Sequence, residues 1–195
     1  IMAEERMYRG GLLIGLLLLI FFEVRAQGIA NGYIERKVQV IDTFTSCVSI
    51  KSNIPCRWYA TQKDVNMFSI HEENGNRFLK IKTSGGNTSL GIQCSFEVDK
   101  YRYLSWRWRV HSLPVGARED KRKYSDSAAG VYVIFNGNLK LNRIIKYVWS
   151  TSLQEGVVTE SPFNRRTKIV VLRSGDRHKG EWVEEKVDVF GDYQK

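Results

Sequence analysis

The chain has 195 residues, of which 30 are Lys or Arg and 21 are Asp or Glu, giving a formal net charge of +9. That length suits one domain with an adequate core, and no internal repeat or low-complexity stretch divides it. Three cysteines and three widely separated histidines, with no Cys-x-x-Cys pair, exclude the usual zinc and haem frameworks.

The first element is a leader. Arg6 and Arg9 precede the apolar run 12–22, and Val24-Arg25-Ala26 offers the small residues a signal peptidase reads. This pattern predicts a signal peptide over 1–26 and a single exported domain over 27–195, periplasmic or secreted. The apolar run falls short of the roughly 20 residues a spanning helix needs, so no membrane span is expected after cleavage. An uncleaved anchor is the alternative. Arg6, Arg9 and Arg25 offset Glu4, Glu5 and Glu23, so the excess positive charge belongs to the mature part. Export turns that charge away from nucleic acid and toward a polysaccharide or acidic envelope glycan, or an anionic headgroup. Plain solubility is the bland alternative.

Cys47 and Cys56 flank a short segment and can close a small disulfide loop, which leaves Cys94 over. From there the chain reads as short strands. Glu73-Asn74-Gly75-Asn76 is an Asn-Gly turn leading into the alternating Phe78-Leu79-Lys80-Ile81-Lys82-Thr83. Residues 90–98 form a further strand candidate. In Tyr103-Leu104-Ser105-Trp106-Arg107-Trp108-Arg109-Val110, the apolar Leu104, Trp106, Trp108 and Val110 fall on one face, and Tyr103, Ser105, Arg107 and Arg109 on the other. Leu113-Pro114-Val115-Gly116 ends that strand, and the mixed-charge run 117–126 reads as a surface loop. Strands at 130–135, 143–149, 168–173 and 181–189 follow, with turns at Asn136-Gly137-Asn138 and Ser174-Gly175-Asp176. The series predicts an all-β, antiparallel β-sandwich rather than a βαβ layout.

Tyr101, Tyr103, Arg107 and Arg109 are the leading binding residues, because rings stack on sugar faces and Arg forks hold hydroxyls or carboxylates. A solvated outer face explains the same residues equally simply. Trp106, Trp108, Tyr147 and Trp149 read as core. Trp182 shares a face with Glu184, Lys186 and Asp188, which would expose it on the same surface as Arg173, and the two join the binding set as weaker candidates. Asp126 reads as a turn or salt-bridge residue. Glu119 with Asp120, and Glu184 with Asp188, are the carboxylate pairs a glycosidase would need; Arg107, Arg109, Tyr147, His111 and His178 are of the types a uronate lyase would need. No nucleophile elbow, HExxH, P-loop or dinucleotide fingerprint accompanies them, so no catalytic residue, metal or cofactor is assigned.

Several blocks occur together in order: Glu73-Asn74-Gly75-Asn76-Arg77-Phe78-Leu79-Lys80, Leu104-Ser105-Trp106-Arg107-Trp108-Arg109-Val110, Ser125-Asp126-Ser127-Ala128-Ala129, Lys146-Tyr147-Val148-Trp149-Ser150, and 167–175 with Gly180-Glu181-Trp182. This set resembles a bacterial exported family, domain of unknown function 3047. The resemblance implies a jelly-roll-like sandwich similar to carbohydrate-binding modules and brings no established activity. Family members tend to carry two adjacent acids where this chain has Ser125-Asp126, and they run on for one or two more strands, so a sheet edge is expected beyond Lys195. The combined expectation is non-catalytic binding of carbohydrate or acidic envelope glycan. The alternatives are a polysaccharide lyase or hydrolase on the same scaffold, and an envelope scaffold protein.

Overall fold

The computed structural model describes the backbone of residues 2–4, 16–18, 23–30, 33–45, 47–48, 54–83, 89–97, 99–135 and 142–195, with side chains from residue 38 onward. Nearly all regular structure there is β. One sheet follows the order β12 (Val158–Glu160), β13 (Thr167–Ser174), β11 (Arg143–Ser150), β10 (Ala129–Phe135), β1 (Met2–Glu4), β8 (Ser89–Gly91), β5 (Tyr59–Ala60). The other runs β4 (Tyr33–Val40), β3 (Glu23–Ala30), β9 (Tyr103–Val110), β2 (Leu16–Leu18), β7 (Asn76–Ile81), β6 (Phe68–Glu73), and β14 (Val183–Asp188) also pairs with β9. The all-β expectation holds.

The two sheets meet where the alternation of β9 turns its tryptophans inward. Trp106 lies 5.7 Å from the Tyr147 ring and Trp108 lies 5.8 Å from Trp149, so β9 and β11 interdigitate across the core. All four rings are essentially sealed from solvent, together with Leu104 and Val110. At roughly 25 cal/mol per Å² of apolar area, four buried aromatics dominate the burial energy of this core. The reading of these four residues as core is correct.

Local chemistry explains the connections. Asn74 and Gly75 take φ of 52° and 75°, the left-handed pair that a two-residue β-hairpin needs, and they fix the register Glu73↔Asn76 between β6 and β7. A disulfide joins Cys47 and Cys56, whose Cα atoms lie 5.6 Å apart. β11 and β13 pair in parallel, the one departure from antiparallel order among the described pairings. The chain leaves β11, passes to the edge as β12, and returns as β13 between the two.

Three expectations are refined. Only Ser89–Gly91 of the 90–98 region joins a sheet, although Ile92 is buried and Cys94 and Phe96 pack against the core. Alternation there reports burial, which a strand without a partner can also achieve. The run 117–126 carries a single 3₁₀ turn at Arg122–Tyr124, and it folds back over the end of β11 instead of standing off the surface. Ser152 Oγ donates to Ala117 O at 2.8 Å and Thr151 Oγ1 to Pro114 O at 3.0 Å, which buries Ala117 and Glu119. A short helix, α1 (Val189–Gln194), closes the chain, with the Asp188 side chain accepting from Gly191 N. The Asn136-Gly137-Asn138 turn lies outside the described residues.

Candidate functional site

Pairing of Val183 with Trp108 and Glu184 with Arg107 brings Trp182 alongside Arg109 on the outer face of β9. The Arg109 guanidinium carbon lies 4.4 Å from the indole centroid, and Arg107 lies 5.8 Å from it. Arg109 is only 15% exposed and reaches Glu73 Oε2 at 2.9 Å; Trp182 Nε1 donates to the same oxygen at 3.4 Å. Phe78, buried on the outer face of β7, meets the indole edge-on at 5.5 Å. Trp182 is thus held from below and at its edge, and it is half-buried.

Charge in this cluster is unevenly spent. Hydrogen bonds from Arg109 and then Trp182 hold the Glu73 carboxyl below its ordinary value, so Glu73 stays ionised and neutralises Arg109. Arg107 forms no ion pair among the described residues; it lies beside the indole and opposite Glu184 in the β14 register. Burial and then the Arg109 charge push His111 below its usual value, which keeps it neutral at pH 7. The arrangement offers one flat aromatic surface and, beside it, the Arg107 guanidinium.

Of the six residues nominated from the sequence, Arg107, Arg109 and Trp182 come together. Tyr103 shares their face at the far end of β9, where its ring lies 4.7 Å from Lys186 Nζ and 5.4 Å from the Arg102 guanidinium carbon. Arg102 in turn pairs with Asp188. Tyr101 lies before the strand begins and packs edge-on against Phe96 at 6.4 Å, with the core behind it, so the structure takes it off that face. Arg173 belongs to the other sheet. Its guanidinium bonds Glu185 at 2.7 and 3.2 Å, and this buried carboxylate also accepts from Trp108 Nε1 at 2.9 Å. Glu73 and Phe78 were not nominated; the Asn-Gly turn, which fixes the parity of β6 and β7, is the signal that places both facing outward.

A second constellation lies beneath the folded-back loop. Glu119 is fully buried, with Oε2 accepting from Ser150 Oγ at 2.7 Å, and among the described residues neither Glu119 Oε1 nor Ser127 Oγ has a hydrogen-bond partner. Burial raises the Glu119 carboxyl above its ordinary value. Burial also pushes Asp126 up to about 6, against the bond it accepts from Ser127 N at 2.8 Å. Both acids feel the Lys146 charge; Asp126 is also raised by Glu119, and Glu119 by Asp120. Asp126 caps the main chain at Ser127 N, and its carboxyl holds its proton to a higher pH than an ordinary aspartate. Asp120, the sequence partner of Glu119, is committed to Arg118 by two 3.0 Å bonds, and Asp188 is committed to Arg102 and the α1 cap.

Among the described residues, no group of three or more His, Cys, Asp or Glu is placed to hold a metal ion, and no helix is long and apolar enough to cross a membrane. No curated protein and no solved structure matches the chain. A family model does match, over residues 57–195, and that span contains β9, β14 and both constellations. The chain belongs to the family described as protein of unknown function (DUF3047).

Proposed function

We propose that the protein is exported and binds an acidic glycan without catalysis, on the outer face formed by Trp182, Arg107 and Arg109. The observation that carries this reading is the half-buried indole of Trp182, fixed by Phe78 and by the neutralised Arg109–Glu73 pair, with Arg107, which forms no ion pair among the described residues, at its side. A pyranose ring stacks on the exposed part of the indole, and its acidic substituent meets Arg107. The fixed platform limits the side-chain entropy lost on binding. Basic net charge and the Cys47–Cys56 disulfide support an acidic partner and an oxidising compartment.

A glycan array followed by calorimetry on the purified protein tests the binding. Saturable binding to a uronate- or sulfate-bearing oligosaccharide, lost in Trp182→Ala, supports it; uniformly flat binding overturns it. Cleavage after Ala26 removes β1 and β2 and cuts within β3, so export has its own test. An intact mass beginning at Gln27 supports processing, and retention of Met2 in the exported protein overturns it.

The lyase or hydrolase reading has one specific observation behind it, the raised acids Glu119 and Asp126 beneath the 117–126 loop. Incubation with uronate polymers, read by unsaturated-product absorbance and by reducing ends, tests it; product that disappears in Asp126→Asn supports catalysis there.

A further inference from the structure

Away from the Trp182 face, the described structure holds a cleft of about 330 Å³ at the end of the parallel pair β11–β13. Arg143, Arg165, Arg166 and Lys168 line it against Glu160 and Asp192, a surplus of two positive charges in one concavity that Lys195 also reaches. Its walls are fixed by main-chain bonds. Ile144 N donates to Arg166 O at 3.0 Å, Thr167 N to Asn164 O at 2.8 Å, and Arg166 N to Asn164 Oδ1 at 3.0 Å, so the loop carrying Arg165 and Arg166 is anchored on both sides. The opposite wall is α1. Asp192 Oδ2 accepts from the buried Tyr147 hydroxyl at 2.9 Å, and the Tyr193 ring packs 4.5 Å from Phe135.

The cations here are poorly neutralised. Arg143 donates to Tyr193 O at 3.5 Å and Lys168 to Asp192 O at 3.4 Å, both uncharged main-chain acceptors. Arg165 and Arg166 form no ion pair among the described residues, and Asp192 Oδ1 is met by Lys195 at 3.5 Å. One aspartate therefore serves Tyr147 and Lys195 together and leaves the guanidinium groups uncompensated. Like charges gathered on preformed walls repel each other until an anion enters. A single carboxylate leaves half of that surplus in place; a phosphate monoester, carrying roughly −1.5 to −2 and three acceptor oxygens, matches it better.

We infer that this cleft is a binding site for a phosphate-monoester group, independent of the Trp182 face. The cleft volume leaves room for more than the phosphate itself, so the rest of the ligand lies along Tyr193 and the start of β11. The test is an amide NMR titration of the full chain with inorganic phosphate, beside sodium chloride at matched ionic strength. The expected result is saturable shifts at residues 143–145, 165–168 and 192–193 that chloride does not reproduce, weakened about tenfold or more in Arg165→Ala/Arg166→Ala. Both side chains are exposed, so the double variant keeps its fold, and an unchanged melting temperature verifies this. Trp182→Ala leaves the titration unchanged, which separates this site from the glycan proposal. Equal shifts with chloride, or full phosphate affinity in the double variant, overturn the inference.

Discussion

Arg173 and Glu185 form a two-pronged ion pair that ties β13 of one sheet to β14 of the other. The carboxylate is almost wholly buried and also anchors the indole of Trp108, so one acid orders both a core ring and an inter-sheet contact. A pair in this position resists truncation of either partner, because the survivor is a charge without compensation. Arg173→Ala is expected to lower stability by about 2–3 kcal/mol in urea unfolding, the value reduced from a fully buried pair because the guanidinium is partly exposed. Glycan affinity at Trp182 should be unchanged.

Asp126 contributes to stability with the opposite sign from an ion-paired acid. Its carboxyl is pushed up to about 6 in the fold against an ordinary 3.8, so the folded state favours the protonated form. The associated stability is complete below pH 4 and is lost as pH rises through 6. Asp126→Asn keeps the acceptor for Ser127 N and removes the charge. It is expected to raise stability at pH 7.5 by up to about 2–3 kcal/mol and to leave stability near pH 4 unchanged, as read by thermal unfolding at both pH values.

Removing the cross-link isolates its effect on the unfolded chain. Cys47 and Cys56 stand 9 apart in sequence, and closing so small a loop is worth about 2–3 kcal/mol in the chain-entropy account. Cys47→Ser/Cys56→Ser should lower the denaturant midpoint accordingly and leave the far-ultraviolet spectrum unchanged.

On the Trp182 face, the two arginines are expected to behave differently. Arg107→Ala should weaken an acidic glycan several-fold and flatten the salt dependence of binding, since Arg107 lies beside the indole with no ion pair among the described residues. Arg109→Ala frees Glu73 next to the ligand, so its loss should be larger and should also shift the Trp182 emission. Calorimetry at two salt concentrations distinguishes them.

Period-two alternation was sufficient to place the core rings of β9 and β11, because a strand with one buried face writes its fold directly into residue parity. It also put Arg107 and Arg109 on one outward face, but it set Trp182 on the surface of Arg173, which lies in the other sheet. What it could not give was which arginines are already spent on partners in the fold. Arg173 looks in sequence like Arg107, yet its partner Glu185 comes from a strand whose inward parity is visible only once β14 is paired with β9. Tyr101 failed for a different reason: alternation continues before Tyr103, but the sheet does not. The Glu119–Asp126 neighbourhood depends on a loop folding back onto Ser150, and a charged run carries no periodic signal for that contact.

The distribution of the five tryptophans has a spectroscopic consequence. Trp58, Trp106, Trp108 and Trp149 are buried, so a collisional quencher dissolved in water meets Trp182 first. With Arg107 beside it, an anion such as iodide is drawn to that indole, whereas caesium is repelled. Fluorescence from this protein thus divides into an interior shielded from the quencher and one addressable reporter on the face where the glycan is proposed to bind.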